Sequence, residues 1–184
     1  VLGLFEGVCS GAADGYYRMT DKPASTLLHL GPGLANAAAN LHNAKKAGSG
    51  IVNIVGEHAL YHIKYDTPLT ADIEGIARPC SHWAKTSPTA KTVASDGAAA
   101  IQPARVAPGQ IATLILPADT AWTDADGAAE TPATPAPPRP DKDVDFSAID
   151  TTTPGPWLRT LPEATASPDP NSIEAPSSTS EALA

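Results

Sequence analysis

The run Ile51-Val52-Asn53-Ile54-Val55 is β-branched and nearly continuous, bounded by Gly50 and Gly56. A strand of that kind has both faces covered, which is the situation of a parallel strand packed between helices rather than of a half-solvated antiparallel one. The text around it keeps the same rhythm. Val1-Leu2-Gly3-Leu4-Phe5, Thr26-Leu27-Leu28-His29-Leu30 and Ile111–Leu116 are short apolar runs of strand length. Between them lie small-residue stretches of helical length, Gly7–Met19, Leu34–Lys46 and Thr92–Arg105, with a shorter one near Asp72–Ala77. Asp21-Lys22-Pro23, Gly48-Ser49-Gly50 and Pro108-Gly109-Gln110 punctuate the elements, Gly31-Pro32-Gly33 reads as a turn, and the stretches through Pro68 and Pro88 read as irregular. Alternating strands and helices with short connections predict an α/β fold, a parallel sheet with helices on both faces and right-handed crossovers.

In such sheets ligands sit beyond the carboxyl ends of the strands. That rule selects Glu6, the stretch from His29 to Gly33, and the stretch from Gly56 to His62. Glu6 is a carboxylate between an apolar run and a small-residue helix; it must be paired, protonated or bound to a ligand, or else serve as a first-turn charge on helix N–H groups. His29 is either a titratable group at a reaction centre or a hydrogen-bonded strand-end imidazole. Glu57, His58 and His62 either line a substrate side or belong to a solvated loop. His58 and His62 have the spacing of a metal pair, but no third ligand presents itself, so no metal is assigned. Tyr61, Tyr65 and Trp83 read as packing or interface residues.

Charge divides the chain. Residues 1–118 carry nine Lys/Arg and eight Asp/Glu, whereas residues 119–184 carry three against twelve, together with eleven of the nineteen prolines. Neither part is basic enough to bind nucleic acid or an anionic membrane. The Pro-rich stretch Thr131–Pro140 cannot bury a core, and residues 119–184 are expected to form a disordered acidic tail in which Trp157 is the strongest candidate for a docked anchor. Cys9 and Cys80 are expected as reduced thiols. No leader of the charged-then-apolar kind is read, and no apolar run approaches the roughly 18–20 residues that span a bilayer, so the expected location is cytoplasmic. The opening at Val1, without Met and reading as a strand already under way, suggests an N-terminally incomplete domain.

Glu6-Gly7-Val8-Cys9-Ser10-Gly11-Ala12-Ala13-Asp14-Gly15-Tyr16-Tyr17-Arg18, followed by Lys22-Pro23, resembles the cofactor-glutamate segment of the thiamine-diphosphate enzymes of the acetolactate synthase and benzoylformate decarboxylase type. The resemblance continues in order through Gly31-Pro32-Gly33 and Asn36, Ile51–Gly56, Ala77-Arg78-Pro79 with Trp83, and Gly109-Gln110 to Leu116-Pro117-Ala118. Asp21 departs from the family pattern, which has Gly there.

The resemblance implies a flavodoxin-like three-layer pyrimidine-binding module over residues 1–118, missing its first strand and helix. It implies that Glu6 hydrogen-bonds the ring nitrogen N1′ of the cofactor's aminopyrimidine, and that Gly31, Pro32, Gly33 and Asn36 face the cofactor. His29 stands where benzoylformate decarboxylase has a histidine, which tilts the expected chemistry toward decarboxylation of a small 2-oxo acid. The family's Gly-Asp-Gly segment for Mg2+ and diphosphate is not found, Ser95-Asp96-Gly97 being only a superficial echo; thiamine diphosphate is therefore expected to be held as a half-site, with Mg2+ supplied by another module. A flavin requirement is not legible. The implied partners are a second copy, a full-length relative or a diphosphate-binding module. The competing expectation is a catalytically inactive unit that only dimerises or binds a partner.

Overall fold

A computed structural model describes residues 1–130. Four parallel strands, β1 (Ala24–His29), β2 (Ile51–Glu57), β3 (Trp83–Thr86) and β4 (Ile111–Pro117), form one sheet in the order β1-β2-β4-β3. Helices α1 (Glu6–Thr20), α2 (Leu30–Ala47) and α4 (Ile73–Cys80) cover one face, and α5 (Ala90–Arg105) the other; α3 (Leu60–Ile63) is a single turn in the loop after β2. The expected α/β architecture is the observed one.

The core follows from strand periodicity. Leu28, Ile51, Val55, Ile111 and Ile115 point to the α2 side and meet Leu34, Ala37, Leu41 and Ala44 of that helix. Val52, Ala112 and Leu114 point the other way, onto Ala100 and Ala104 of α5. Alanines at the contacts let the helices approach closely. Helix α2 ends at Gly48, whose φ of 67° is left-handed and natural for glycine. Asp72 caps α4 by accepting a hydrogen bond from the Gly75 N–H at 2.8 Å. Cys9 and Cys80 are free thiols, and burial pushes the Cys80 thiol up against the opposing charge of Lys45.

Several expectations need correction. Val1–Phe5 is not a strand: Val1, Leu2 and Leu4 are exposed, and with no ladder partner an apolar run of strand length stays irregular before α1 begins at Glu6. Gly31-Pro32-Gly33 is the first turn of α2 and not a separate loop; proline is tolerated there because the first N–H groups of a helix have no intrahelical acceptor. The stretch before Pro88, expected to be irregular, contains β3, with Trp83 packed against the α5-side core. Asp96 of the Gly-Asp-Gly-like echo lies inside α5.

After β4 the chain makes one 3-10 turn, Ala118–Ala121, so the first tail residues are ordered on the fold. The Pro-rich stretch and the Trp157 segment lie outside the described residues. Among the described residues no helix is long and apolar enough to cross a membrane.

Candidate functional site

Glu6 opens α1 and His29 closes β1, and the start of α2 brings them together. Asn36 Nδ2 donates to Glu6 Oε2 at 3.1 Å. Gly33 lies beneath the other carboxylate oxygen: a Cβ there would stand 3.1 Å from Glu6 Oε1 and 3.4 Å from His29 Cβ. Glu6, His29, Gly33 and Asn36 therefore share one small surface at the carboxyl end of β1. Among the described residues Asn36 is the side-chain donor that reaches the carboxylate.

The α1–α2 contact that holds Glu6 in place is itself polar and tight. Ser10 Oγ donates to the carbonyl oxygens of Glu6, Gly7 or Ala37, each at 3.2 Å, and Asn40 Nδ2 donates to the Gly7 carbonyl at 2.6 Å. Gly31 is required for a different reason, since a Cβ at that position would collide with the Ala71 side chain. Leu30, between His29 and Gly31, is buried at a φ of 54°, a left-handed conformation that a bulky residue adopts only when its surroundings impose it. Pro32 is exposed on the outer side of this turn.

A cavity of about 350 Å3 opens beside this surface, beyond the ends of β1, β2 and β4. His29 and Leu30 form one wall, Glu57, His58 and His62 another, and Ala118 and Trp122 a third. The three residues singled out after β2 thus join His29 around one space. Glu57 Oε1 accepts from the His58 backbone N–H at 2.7 Å, which fixes the carboxylate at the strand end. His58 Nε2 lies 3.0 Å from Thr67 Oγ1, which lies 3.2 Å from Thr70 Oγ1, and the His62 ring packs between His58 and Tyr65, 5.7 Å from each. The imidazoles are oriented by neighbours rather than left to solvent. Among the described residues no three His, Cys, Asp or Glu side chains gather as a metal site.

Sequence reasoning missed Trp122 and Ala118, which lie at or beyond the boundary drawn after Ala118. The signal was available, because they follow the end of a strand as His29 and Glu57 do. The Asp119 side chain even ties this segment to the β2 loop, accepting from the Leu60 N–H at 3.2 Å.

Residues 1–78 match the family described as thiamine pyrophosphate enzyme, N-terminal TPP binding domain. The chain is 54% identical over 134 residues to a Mycobacterium tuberculosis protein named "Putative acetolactate synthase large subunit IlvX", the match covering 72% of this chain and 26% of that protein. It is 30% identical over 120 residues to benzoylformate decarboxylase of Pseudomonas aeruginosa, covering 65% of this chain and 23% of that enzyme. A crystal structure described as that of "a putative thiamin diphosphate-dependent enzyme" from Mycobacterium smegmatis superimposes with a TM-score of 0.69 at 27% identity, over 73% of this chain and 26% of that one. The chain spans about a quarter of the length of these relatives. The family match over residues 1–78 and these likenesses agree: the described part of this chain is an N-terminal module of the thiamine-diphosphate-dependent enzyme superfamily.

Proposed function

We propose that this module supplies the aminopyrimidine half of a thiamine diphosphate site, and that the activity it serves is decarboxylation or carboligation of a small 2-oxo acid. The observation that carries the reading is the Glu6 carboxylate, bound on one oxygen by Asn36 and resting with the other over Gly33 beside His29. A carboxylate so placed can accept a hydrogen bond from a protonated ring nitrogen, and Gly33, lacking a side chain, leaves room for that carboxylate to sit beside His29. Bound thiamine diphosphate supplies the electron sink for cleaving the bond next to a 2-oxo acid's carbonyl. This chain's part is to hold Glu6 by Asn36 and Ser10 geometry, to present the His29 imidazole as a proton carrier, and to line the substrate side with Glu57, His58 and His62.

The diphosphate and Mg2+ are assigned to a second module outside residues 1–118, of the kind a larger relative would carry. A second reading, a partner-binding unit without catalysis, draws on the exposed Tyr61, Tyr65 and Trp122 beside the cavity. Co-purification from the native host separates the two. A mixed complex that contains thiamine diphosphate and decarboxylates a 2-oxo acid, with activity lost in Glu6→Gln, supports the first reading. A cofactor-free complex or monomer, with no activity difference between Glu6→Gln and the unmodified chain, rejects it.

A further inference from the structure

One face of the sheet carries three rungs that run across β1, β2 and β4. Ala24, Ile51 and Ile111 are register partners, as are Leu28, Val55 and Ile115, and both rungs are apolar. The rung between them is Thr26, Asn53 and Thr113, and it is polar and buried, with Asn53 and Thr113 fully inaccessible and Thr26 6% exposed. Thr26 Oγ1 donates to Asn53 Oδ1 at 2.7 Å, Asn53 Nδ2 donates to Thr113 Oγ1 at 3.2 Å, and Ser81 Oγ meets Thr113 Oγ1 at 2.7 Å. Four buried side chains thus form one hydrogen-bonded line perpendicular to the strands.

Replacing both members of such a buried pair by apolar groups of the same shape is close to neutral for stability, so stability does not explain the rung. Register does. A slip of one residue is disfavoured separately, because it exchanges the side chains fitted to the α2 layer, Ile51 and Val55, with those fitted to the α5 layer, such as Val52. A slip of two residues keeps every apolar side chain facing α2 and merely exchanges one aliphatic neighbour for another. Among the side chains inside the sheet, what distinguishes the two registers is Asn53, which after such a slip faces an aliphatic rung and leaves its buried amide without partners; the packing of Gly50 on Gly109 and Tyr17 at the start of β2 acts in the same direction. Orphaning one buried polar group disfavours that state by about ten-fold or more. A two-residue slip also moves the end of β2 by about 6–7 Å.

We propose that Asn53 is a positioning residue: held by Thr26 on one side and Thr113 on the other, it sets β2 level with its neighbours, with Gly56 beside His29, and so places Glu57 and His29 around the same cavity. The functional weight of this rests on reading that cavity as the substrate side of the site; the register itself does not.

The test makes the rung apolar with Thr26→Val, Asn53→Leu and Thr113→Val together in the 184-residue chain. The melting temperature and the imidazole resonances are recorded without cofactor, so that a chain that fails to bind thiamine diphosphate still decides the question. The expected result is a melting temperature within a few degrees of the parent and a second set of signals for His29, His58 and His62, at about a tenth of the intensity or more. His42, exposed on α2, keeps one set. A single unshifted set for all five histidines overturns the proposal, as does a large fall in melting temperature with one set retained. Asn53→Ala, which keeps both hydroxyls and removes only the bridge, covers the case in which the triple variant does not fold: a second set there supports the proposal and a single set overturns it.

Discussion

Replacing Gly33 by alanine places a methyl group 3.1 Å from Glu6 Oε1, 3.4 Å from His29 Cβ and 3.5 Å from Glu6 Cγ. The first distance is tighter than an ordinary contact, so a neighbour must move by a few tenths of an ångström. The backbone of α2 is held by its packing on the sheet, whereas the Glu6 carboxylate is the end of a flexible side chain and is the part that yields. Alanine in the first turn of a helix gains up to about 1 kcal/mol over glycine, which offsets the crowding. The melting temperature is therefore expected to move by less than about 5 °C. The carboxylate, however, loses its rest over the α2 turn and its hydrogen bond from Asn36. A hydrogen bond to a charged group contributes about 1.5–3 kcal/mol, so affinity for thiamine diphosphate falls by roughly ten-fold or more. Thermal melts and a titration followed by the amide signals of Gly31 and residues 33–36 measure the two effects separately. Unchanged affinity with unchanged stability would refute the role given to the Glu6 carboxylate over Gly33. A fall of more than 10 °C would show that the helix, and not the carboxylate, is what gives way.

Two further predictions concern the frame of the site. A Cβ at Gly109 would collide with the Gly50 N–H and the Tyr17 ring, neither of which can retreat, so Gly109→Ala should cost about 3 kcal/mol or more, read as a fall in denaturation midpoint; a loss below about 1 kcal/mol would contradict the packing. Burial raises the Asp96 carboxyl, but the Lys85 ammonium at 2.6 Å, helped by the Ser87 and Thr92 hydroxyls, holds it net below its ordinary 3.8. Oδ2 has no partner of good geometry, so Lys85 carries most of the effect. A depressed carboxyl contributes stability that is present above its unfolded value and lost as pH falls through its folded one. Lys85→Met should therefore be destabilising by about 1–2 kcal/mol at pH 7 in urea unfolding, with the gap narrowing toward pH 3; an equal gap at both values would rule the pair out.

Much of this was legible in residue order because hydrophobic burial dictates it. Ile51–Val55 could only be a covered strand, and His29 and Glu57 follow from the rule that places ligands beyond strand ends, whereas Glu6 was selected by a strand that the structure does not form and stands instead at the start of α1. What was lost depended on tertiary context. Trp83–Thr86 is only four residues long with an exposed lysine inside it, and it becomes a strand because β4 offers a free edge. Leu2 and Leu4 spell a strand and find no partner. Gly31-Pro32-Gly33 carries turn chemistry, yet Leu30 takes the one left-handed step and leaves proline free to begin a helix. The polar rung through Asn53 was hidden because a single Asn in an aliphatic run shows its role only when Thr26 and Thr113 are aligned beside it.

The central claim is that the Glu6 carboxylate shares a proton with the aminopyrimidine ring. Its most direct test is the 15N resonance of thiamine diphosphate labelled at N1′, followed through a pH titration with the unmodified chain and with Glu6→Gln. The unmodified chain should keep N1′ protonated at least one pH unit higher than the free cofactor does, and Glu6→Gln should abolish that difference. Identical titrations with and without the carboxylate would contradict it.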